Sequence, residues 1–420
     1  MFKLPWKQLG EAGVYTVGNL VVRAIPVVLL PILTRVLAPE EYGLIALFQG
    51  LVLVLTPLIG FSSNTVLSQK YYKFNESDRP GLNSAALRVT LIGVGVFLVP
   101  VIGISLFVPR LFGLSSFLTL LAFLVAFVNM IVTIGKTVAQ MERRPIAFSA
   151  LQIVGTSIDV GLSILFVVGM GLRVPGRISG IVLASLVSGV IVVLFLAKGH
   201  YVNQTWKTAN VHTKDFIKAG WLLAPMSLGG WIFSLGDRFI ISGMLNNSDV
   251  GYYSAALSFT TLVDMVTTPI ALVWAPHFFR LMSKGGSSSR KAKRFTVLLC
   301  LGYIGLGFLF SWPLVQLANI VLGNKFGSSV SLIPQLIFGS LLRAMVGLLS
   351  YYILHEEQNH LLTLQFLVVS VVHVAAVFVG IRWAGIAGVS YAYLLSGGVS
   401  LFLMLVAVLI THQKRESQKT

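Results

Sequence analysis

About a dozen runs of apolar residues, each roughly 20 residues long, occupy nearly the whole chain and are joined by short loops. At about 1.5 Å of rise per residue, a helix of this length crosses a bilayer core of roughly 30 Å. We therefore predict an all-α polytopic membrane protein with twelve transmembrane helices. The predicted spans lie near residues 14–35, 43–67, 86–108, 115–138, 149–171, 178–197, 220–244, 251–274, 295–317, 329–353, 361–381 and 386–411.

The composition argues against an enzyme that acts in the aqueous phase. Of the 420 residues, 56% are hydrophobic and 11% are charged, whereas a soluble protein usually carries about 25% charged residues. The longest connections, near 68–85, 198–219 and 275–294, are too short to fold a domain of their own. The sequence has no Walker motif, its histidines lack the spacing of paired metal ligands, and its one cysteine, Cys300, lies inside a predicted span. We expect no catalytic residue, no metal site and no cofactor.

The net charge of +17 is distributed unevenly among the loops. Counted from an N-terminus on the inside, 21 Lys and Arg residues lie in one alternate set of loops and 6 lie in the opposite set. The positive-inside rule therefore predicts that the basic loops and both termini are cytoplasmic. Basic loops of this kind contact anionic lipid headgroups, so we expect the lipid bilayer, and no nucleic acid, to be the partner of this charge.

Three short matches recur at an offset of 207 or 208 residues, close to half the chain length. The matched segments are residues 12–13 (AG) with 219–220 (AG), 41–43 (EYG) with 249–251 (DVG), and 71–73 (YYK) with 278–280 (FFR). Because six spans is an even number, such a duplication gives a parallel repeat of two six-helix lobes. We predict an N-lobe at 1–197, a cytoplasmic linker at 198–219 and a C-lobe at 220–420. The alternative is that glycine after an acidic residue is simply a common helix start.

Apart from Arg35 and Arg88, which lie at span ends and are counted with the loops, the charged residues inside the predicted spans are Arg23, Lys136, Asp159, Asp237, Arg238, Asp264 and Arg343. A charge at mid-bilayer costs at least about 2.5–3.5 kcal/mol, so each must face a wet cavity, pair with another charge, or extend to the membrane surface. Lys136 lies near the cytoplasmic end of its span, and we expect its ammonium to extend to that surface.

The remaining intramembrane charges are candidate site residues. Arg23, Arg238 and Arg343 are candidate substrate ligands, because a guanidinium stays charged and offers forked donors that suit phosphate. Three acids, Asp159, Asp237 and Asp264, are candidate ion-coupling residues, because a buried carboxylate can bind and release protons near neutral pH. The alternative is that Asp159 or Asp264 pairs with an arginine and holds two helices together.

Two neutral polar residues, Asn19 and Gln49, are further candidates for lining a substrate cavity. Side chains of this type inside spans also form hydrogen bonds between helices, and that alternative stays open for both.

The beginnings of the two halves resemble a known family. The first half carries Gly18, Asn19 and Arg23, followed by residues 31–37 (PILTRVL) and 40–43 (EEYG). The second half carries Pro225, residues 237–241 (DRFII) and residues 250–254 (VGYYS). These segments resemble bacterial polysaccharide flippases of the O-antigen (Wzx) type, in the multidrug, oligosaccharidyl-lipid and polysaccharide exporter superfamily. The similarity extends over the whole chain.

The resemblance implies a MATE-like, V-shaped transporter of the bacterial inner membrane with a cationic central cavity. The implied cargo is an undecaprenyl-pyrophosphate-linked oligosaccharide, moved from the cytoplasmic to the periplasmic leaflet by alternating access for surface-polysaccharide biosynthesis. A proton or sodium ion is the implied coupling ion. A polysaccharide polymerase and a chain-length regulator are implied partners.

Two other functions compete with this interpretation. A drug or small-cation exporter of the same superfamily would have an acidic and aromatic cavity, whereas the membrane arginines favour an anionic cargo. A membrane enzyme, such as a polysaccharide polymerase or a polyprenyl-linked glycosyltransferase, would need a sizeable outer loop or an acidic metal motif. The longest outer connection, near 318–328, is short. We therefore expect a transporter and no enzyme activity.

Overall fold

The structure, a computed structural model, describes the chain in five stretches: residues 6–108, 110–111, 113–202, 212–221 and 235–417. Some side chains in these stretches fall outside the description, namely those of residues 6–17, 19, 20, 26, 110, 111 and 414–417. The chain divides into two units, Met1–Trp231 and Ile232–Thr420. The boundaries that we predicted for the two lobes and the linker stay a prediction.

The first unit is built from helices α1 (Trp6–Val36), α2 (Pro39–Ile59), α3 (Ser63–Lys70), α4 (Arg79–Phe107), α5 (Ser116–Met141), α6 (Pro145–Ile164) and α7 (Arg173–Lys198). A π-helical turn, Leu165–Gly169, extends α6, and a short antiparallel hairpin of β1 (Arg110–Leu111) and β2 (Leu114–Ser115) joins α4 to α5. Helix α1 packs on α6, α6 packs on α7, and both α2 and α7 pack on α5. Four helices of the unit, α2, α5, α6 and α7, thereby come to surround one space.

The local sequence explains where several of these helices begin. Pro39 and Pro145 open α2 and α6, positions where the missing proline N–H costs no helical hydrogen bond. The Glu41 carboxylate accepts a hydrogen bond from the Ala38 backbone N–H at 2.7 Å, and the Ser115 side chain caps α5. Residues close in sequence, through proline and through side-chain caps, therefore determine where these helices begin.

The predicted second span, 43–67, is wrong as a single helix. Helix α2 ends at Ile59, and α3 begins at Ser63 after a turn in which Phe61 and Ser62 adopt left-handed φ angles of 46° and 49°. Pro57 lies in the last turn of α2 and cannot donate to the helical ladder. Its carbonyl instead accepts from the Ser62 N–H at 2.8 Å, which closes the turn.

Residues 212–221 form a further helical segment that packs on the first unit. The Phe216 ring is fully buried in a cluster that includes Tyr71, Leu82 and Met130. At the edge of that cluster, the Lys70 ammonium lies 3.7 Å from the Asp215 carboxylate. This part of the predicted linker is therefore tied to the helices that precede it.

The second unit contains α8 (Asp237–Met244), α9 (Asn247–Ser258), α10 (Thr260–Ser283), α11 (Gly286–Val321), α12 (Gly327–Val330), α13 (Ile333–His355) and α14 (Asn359–Ser417). Helix α13 packs on α10, α11 and α14, and α14 also contacts α8. Helix α13 is therefore the centre of the unit's packing.

The 59-residue helix α14 is broken in its middle. Ala384 and Gly385 leave the helical conformation, and Gly385 has a φ of 57°, which glycine adopts without the penalty that a side chain would bring. The break falls between the predicted spans 361–381 and 386–411. The two halves of α14, on either side of the break, therefore correspond to the last two predicted membrane spans.

The polytopic all-α fold is confirmed. Within the described residues, nine helical stretches are long and apolar enough to cross a membrane. One of them, Asn359–Gln413, covers the last two predicted spans, and α1, with 31 residues, covers the first. The predicted seventh span, 220–244, lies mostly outside the described residues.

Candidate functional site

A polar cavity of about 490 Å³ lies inside the first unit. We call it the first-unit cavity. Its wall is formed by α2, α5, α6 and α7, with Val22 of α1 at the edge. Polar side chains in the lining make the cavity a candidate binding site. They are Gln49, Thr56, Asn129, Thr133, Lys136, Gln152, Thr156, Asp159, Ser185 and Ser188.

Helical spacing brings these side chains together. On α5, Asn129, Thr133 and Lys136 follow at intervals of four and three residues, which places them on one face of the helix. Helix α6 repeats the same spacing with polar residues at 152, 156 and 159. Two polar faces in otherwise apolar helices therefore meet across one space. This periodicity is the signal by which the cavity could have been found in the sequence.

Lys136 lines this cavity, although we predicted that its side chain would extend to the membrane surface. Its side chain is half-buried, on the same face of α5 as two neutral polar residues. A cation in a wall of amides and hydroxyls gives the cavity the capacity to bind an anionic group beside groups that form hydrogen bonds with hydroxyls.

Asp159 also lines the cavity and is held by an arginine. Two nitrogens of the Arg177 guanidinium contact its two carboxylate oxygens at 2.6 and 3.2 Å. Arg177 is 4% exposed, and its guanidinium also donates to the Ser163 hydroxyl at 2.6 Å. Asp159 is therefore paired with an arginine, as in the structural alternative for this acid. The partner, Arg177, lies just before the predicted span 178–197 and was not among the candidate residues. A role in ion coupling stays a prediction for this acid.

The structure places the other candidates of the first half differently. Gln49 lines the cavity, and its role in binding cargo stays a prediction. Arg23 is exposed on α1, one residue from the cavity-lining Val22, and is not itself part of the wall. The side chain of Asn19 lies outside the described residues.

A second group of polar side chains, some buried and some half-buried, lies inside the second unit. We call it the second-unit polar cluster and define it as Asp237, Arg238, Tyr253, Asp264, Arg343, His373 and Tyr393. Asp237 is 1% exposed and accepts hydrogen bonds from the Tyr253 hydroxyl and from the Arg238 backbone N–H. The Arg238 side chain donates to the Ser254 hydroxyl at 2.9 Å. Helices α8 and α9 thus hold one acid and one arginine side by side.

Tyr393 joins the remaining members of this cluster. The Arg343 guanidinium lies 3.7 Å from the centroid of the Tyr393 ring, a cation–π contact. Tyr393 also lies within electrostatic range of Asp237, Arg238 and Asp264. The four candidates of the second half are therefore brought together around one buried tyrosine, which sequence reasoning missed.

His373 is the other member that sequence reasoning missed. It is 1% exposed, its Nδ1 lies 3.0 Å from the Ser396 hydroxyl, and it lies within electrostatic range of Asp237 and Arg343. Since the Ser396 hydroxyl donates to the Tyr393 carbonyl at 2.9 Å, Nδ1 is the donor to Ser396 and carries a proton. A histidine inside an apolar span was the signal available in the sequence.

Within the part of the chain that the structure describes, no group of three or more His, Cys, Asp or Glu side chains is arranged to hold a metal ion.

Comparisons with known proteins agree on the fold and the family. Residues 9–282, more than half of the chain, match the model of a family described as "Polysaccharide biosynthesis protein". An uncharacterized membrane protein of Haemophilus influenzae is 20% identical over 296 residues, which is 69% of each chain.

Two solved structures are similar over most of their length. The lipid II flippase MurJ, in an inward closed conformation, matches with a TM-score of 0.74 at 14% identity, covering 94% of this chain and 87% of that one. An inward-facing multidrug resistance MATE family transporter matches with a TM-score of 0.66 at 13% identity, covering 96% and 95%. At these identities the likeness shows the fold alone. The resemblance drawn from the sequence is confirmed, and the chain belongs to the family described as "Polysaccharide biosynthesis protein".

Proposed function

We propose that this protein is a flippase that moves an undecaprenyl-pyrophosphate-linked oligosaccharide from the cytoplasmic to the periplasmic leaflet of a bacterial inner membrane. The observation that carries the proposal is the first-unit cavity, a polar space of about 490 Å³ among helices that are otherwise apolar. The family is one of polysaccharide biosynthesis, and the solved structure of a lipid II flippase has the same fold. A greasy tail can stay in lipid during such a movement, whereas the sugars and the diphosphate need a polar path.

The chemistry of the cavity suits a sugar joined to a phosphate. Amides and hydroxyls, such as those of Gln49, Gln152 and Ser188, donate to and accept from sugar hydroxyls. The Lys136 ammonium supplies a charge for a phosphate oxygen. We assign the same role to Arg23, Arg238 and Arg343, and we include Asn19 with Gln49 among the sugar-binding residues.

Coupling to an ion is assigned to the acids. Asp237 and Asp264 belong to the second-unit polar cluster, together with His373. Asp159 belongs to the first-unit cavity. A proton or a sodium ion would bind there while the cargo moves, and a polysaccharide polymerase and a chain-length regulator would act on the cargo afterwards.

The fold also favours a second candidate, an exporter of drugs or small cations, because a multidrug resistance MATE family transporter has the same architecture. Vesicles that contain the purified protein and a labelled lipid-linked oligosaccharide separate the two. We expect the oligosaccharide to become accessible to an added glycosidase only when the protein is present, and a cationic dye to stay where it was loaded. Transport of the dye without movement of the oligosaccharide would favour the exporter.

Lys136→Ala is expected to slow oligosaccharide movement by roughly tenfold or more, because one charge-assisted hydrogen bond contributes about 1.5–3 kcal/mol. Lys136→Arg should keep most of the activity. The matched control is Lys198→Ala, which removes the same charge at the exposed end of α7. Equal rates for Lys136→Ala and Lys198→Ala in vesicles would remove Lys136 from the cargo site.

Labelling of single cysteines is expected to follow the charge asymmetry of the loops. Cysteines placed at the exposed positions Ser287 and Asn324 should react from opposite sides, Ser287 from the cytoplasm and Asn324 from the periplasm. The native Cys300 is buried and should stay unlabelled by an impermeant reagent. Labelling of Ser287Cys in intact cells would contradict the assigned orientation.

A further inference from the structure

A second polar pocket lies at the end of the first unit where α4 and α6 begin and α5 and α7 end. We call it the loop pocket. It is separate from the first-unit cavity, shares no residue with it, and has a volume of about 240 Å³. Its polar lining residues are Glu76, Arg79, Asn83, Glu142, His200 and Tyr201.

Arg79 is the arginine that lines the loop pocket. Its guanidinium carbon lies 5.3 Å from the centroid of the Tyr71 ring and 5.7 Å from that of Tyr72. One terminal nitrogen contacts the Glu76 carboxylate at 3.3 Å. Two aromatic rings therefore hold this guanidinium in place at the wall of the pocket.

Glu142 is fixed as the acid of the pocket. The Tyr71 hydroxyl donates a hydrogen bond to its carboxylate. Burial and the neighbouring Glu142 raise the pKa of the Tyr71 hydroxyl well above its usual value, so this hydroxyl keeps its proton and remains a donor. The hydrogen bond from Tyr71 to one carboxylate oxygen thus orients the Glu142 side chain, and its negative charge is available to a cation.

Three buried polar atoms of the loop pocket lack a hydrogen-bond partner among the described residues: Arg79 Nε, Asn83 Oδ1 and the Tyr201 hydroxyl. Asn83 is 1% exposed, and its Nδ2 is already committed to the Tyr201 carbonyl at 2.8 Å. Tyr201 is 8% exposed, with the Arg144 guanidinium 5.3 Å above its ring. Buried polar atoms are nearly always paired in folded proteins, so one donor, one acceptor and one hydroxyl here point to a ligand.

The charges around the loop pocket balance. Arg79 of the lining, and Arg144, which lies over the Tyr201 ring outside the lining, accompany two acids of the lining, Glu76 and Glu142. A simple anion would be repelled by the carboxylates, and a simple cation would be repelled by the guanidinium groups. A ligand that carries one charge of each sign satisfies both sets.

We propose that the loop pocket binds a zwitterionic phosphate ester of a primary amine, as found in a lipid headgroup. The phosphate lies against Arg79, whose forked donors suit its oxygens. Arg144, over the ring of the lining residue Tyr201, adds a second positive charge nearby. The ammonium lies against Glu142, Asn83 Oδ1 and the Tyr201 hydroxyl, which together supply three acceptors. The pocket sits where apolar helices end, which is the depth of the headgroups in a bilayer. The inference does not depend on the identity of the transported cargo.

Thermal unfolding of the full-length protein in a non-ionic detergent tests the proposal. Addition of phosphatidylethanolamine should raise Tm by about 2–4 °C, the size expected for a ligand that binds only the folded state. Phosphatidylcholine, which has the same charges and no ammonium N–H, should leave Tm unchanged, and so should phosphatidylglycerol and inorganic phosphate. A shift with soluble phosphoethanolamine as well as with the lipid shows that the headgroup chemistry suffices. A shift with soluble phosphoethanolamine alone also supports the proposal, and it indicates that the natural ligand is a soluble phosphate ester of a primary amine and not a lipid.

Tyr201→Phe is the sharpest variant, because it removes only a hydroxyl that has no partner in the described part of the protein. Its Tm without lipid should equal that of the wild type, and the phosphatidylethanolamine shift should fall by at least half. Arg79→Gln should abolish the shift. The matched control is Arg290→Gln, which removes an exposed arginine of the second unit and should leave the shift intact.

Three results would each overturn the proposal. The first is no shift with either phosphoethanolamine compound. The second is an equal shift with phosphatidylcholine, phosphatidylglycerol or inorganic phosphate, which would indicate a general lipid or anion effect. The third is an undiminished phosphatidylethanolamine shift in Tyr201→Phe and Arg79→Gln, which would place the binding elsewhere.

Discussion

Arg177→Met is expected to lower the stability of the protein by about 3 kcal/mol, since it leaves the Asp159 carboxylate without its partner in a poorly hydrated place. Arg177 is buried, whereas the Asp159 side chain is 29% exposed, so the lower end of the range of about 3–5 kcal/mol applies. The measurement is folded protein per cell together with Tm in detergent.

The neighbouring arginine on the same helix provides the control. Arg173 makes an equally forked contact with Glu41, at 2.8 and 2.5 Å, but its side chain is half-exposed. Arg173→Met should therefore lower Tm much less than Arg177→Met does, because water screens an exposed ion pair. Equal losses of Tm for the two methionine variants would show that burial of the Asp159–Arg177 pair does not matter.

The double variant Asp159→Asn with Arg177→Met separates packing from ion coupling. Removing both charges should restore most of the folded protein, because no unpaired charge remains. If Asp159 also carries the coupling ion, the double variant should fold and yet move oligosaccharide slowly. A double variant that transports at the wild-type rate would leave Asp159 with a structural role alone.

Arg343→Ala is expected to abolish surface-polysaccharide assembly, with a fall of roughly 100-fold in the rate of oligosaccharide movement in vesicles. The reason is the loss of a permanent charge and its forked donors, a contact of about 3 kcal/mol at low effective dielectric. Arg343→Lys keeps the charge and loses the fork, so it should restore part of the rate. Arg382→Ala, which removes an exposed arginine of a predicted outer loop, is the matched control.

Protein abundance distinguishes a ligand from a structural charge at Arg343. The cation–π contact with Tyr393 contributes about 2 kcal/mol, less than the stability of a typical folded protein, so Arg343→Ala should still fold. A structural role predicts instead a large drop in folded protein that is reversed when Asp264 is also neutralised. Normal polysaccharide in the single Arg343→Ala variant would exclude the assignment as a substrate ligand.

The sequence alone established the class of the fold. A segment in lipid has to satisfy its backbone hydrogen bonds within itself, so an apolar run of some 20 residues is a helix whatever it packs against. The charge pattern of the loops and the two family segments are local features of the same kind, and they predicted the orientation and the family before any contact was known. The family and the fold are both confirmed.

The candidate site could be predicted only in part. The four charged candidates of the second half proved to lie around Tyr393, yet neither that tyrosine nor His373 stood out among the apolar residues of the last two spans. The same holds for Lys136, which was assigned to the membrane surface and lines the first-unit cavity. Residue type and depth in a span were available from the sequence, whereas the face that each helix turns toward its neighbours was not.

The tertiary structure decided which groups meet. Asp159 and Arg177 belong to different helices, and their pairing follows from the packing of α6 on α7. The turn that ends α2 at Ile59 is likewise closed by contacts that hydropathy does not record. Hydropathy depends on each residue by itself and therefore predicts which segments of the chain are apolar enough to cross a membrane. Ion pairs, cavities and buried clusters depend on how helices from distant parts of the chain rotate and pack against each other, and only the folded chain determines that.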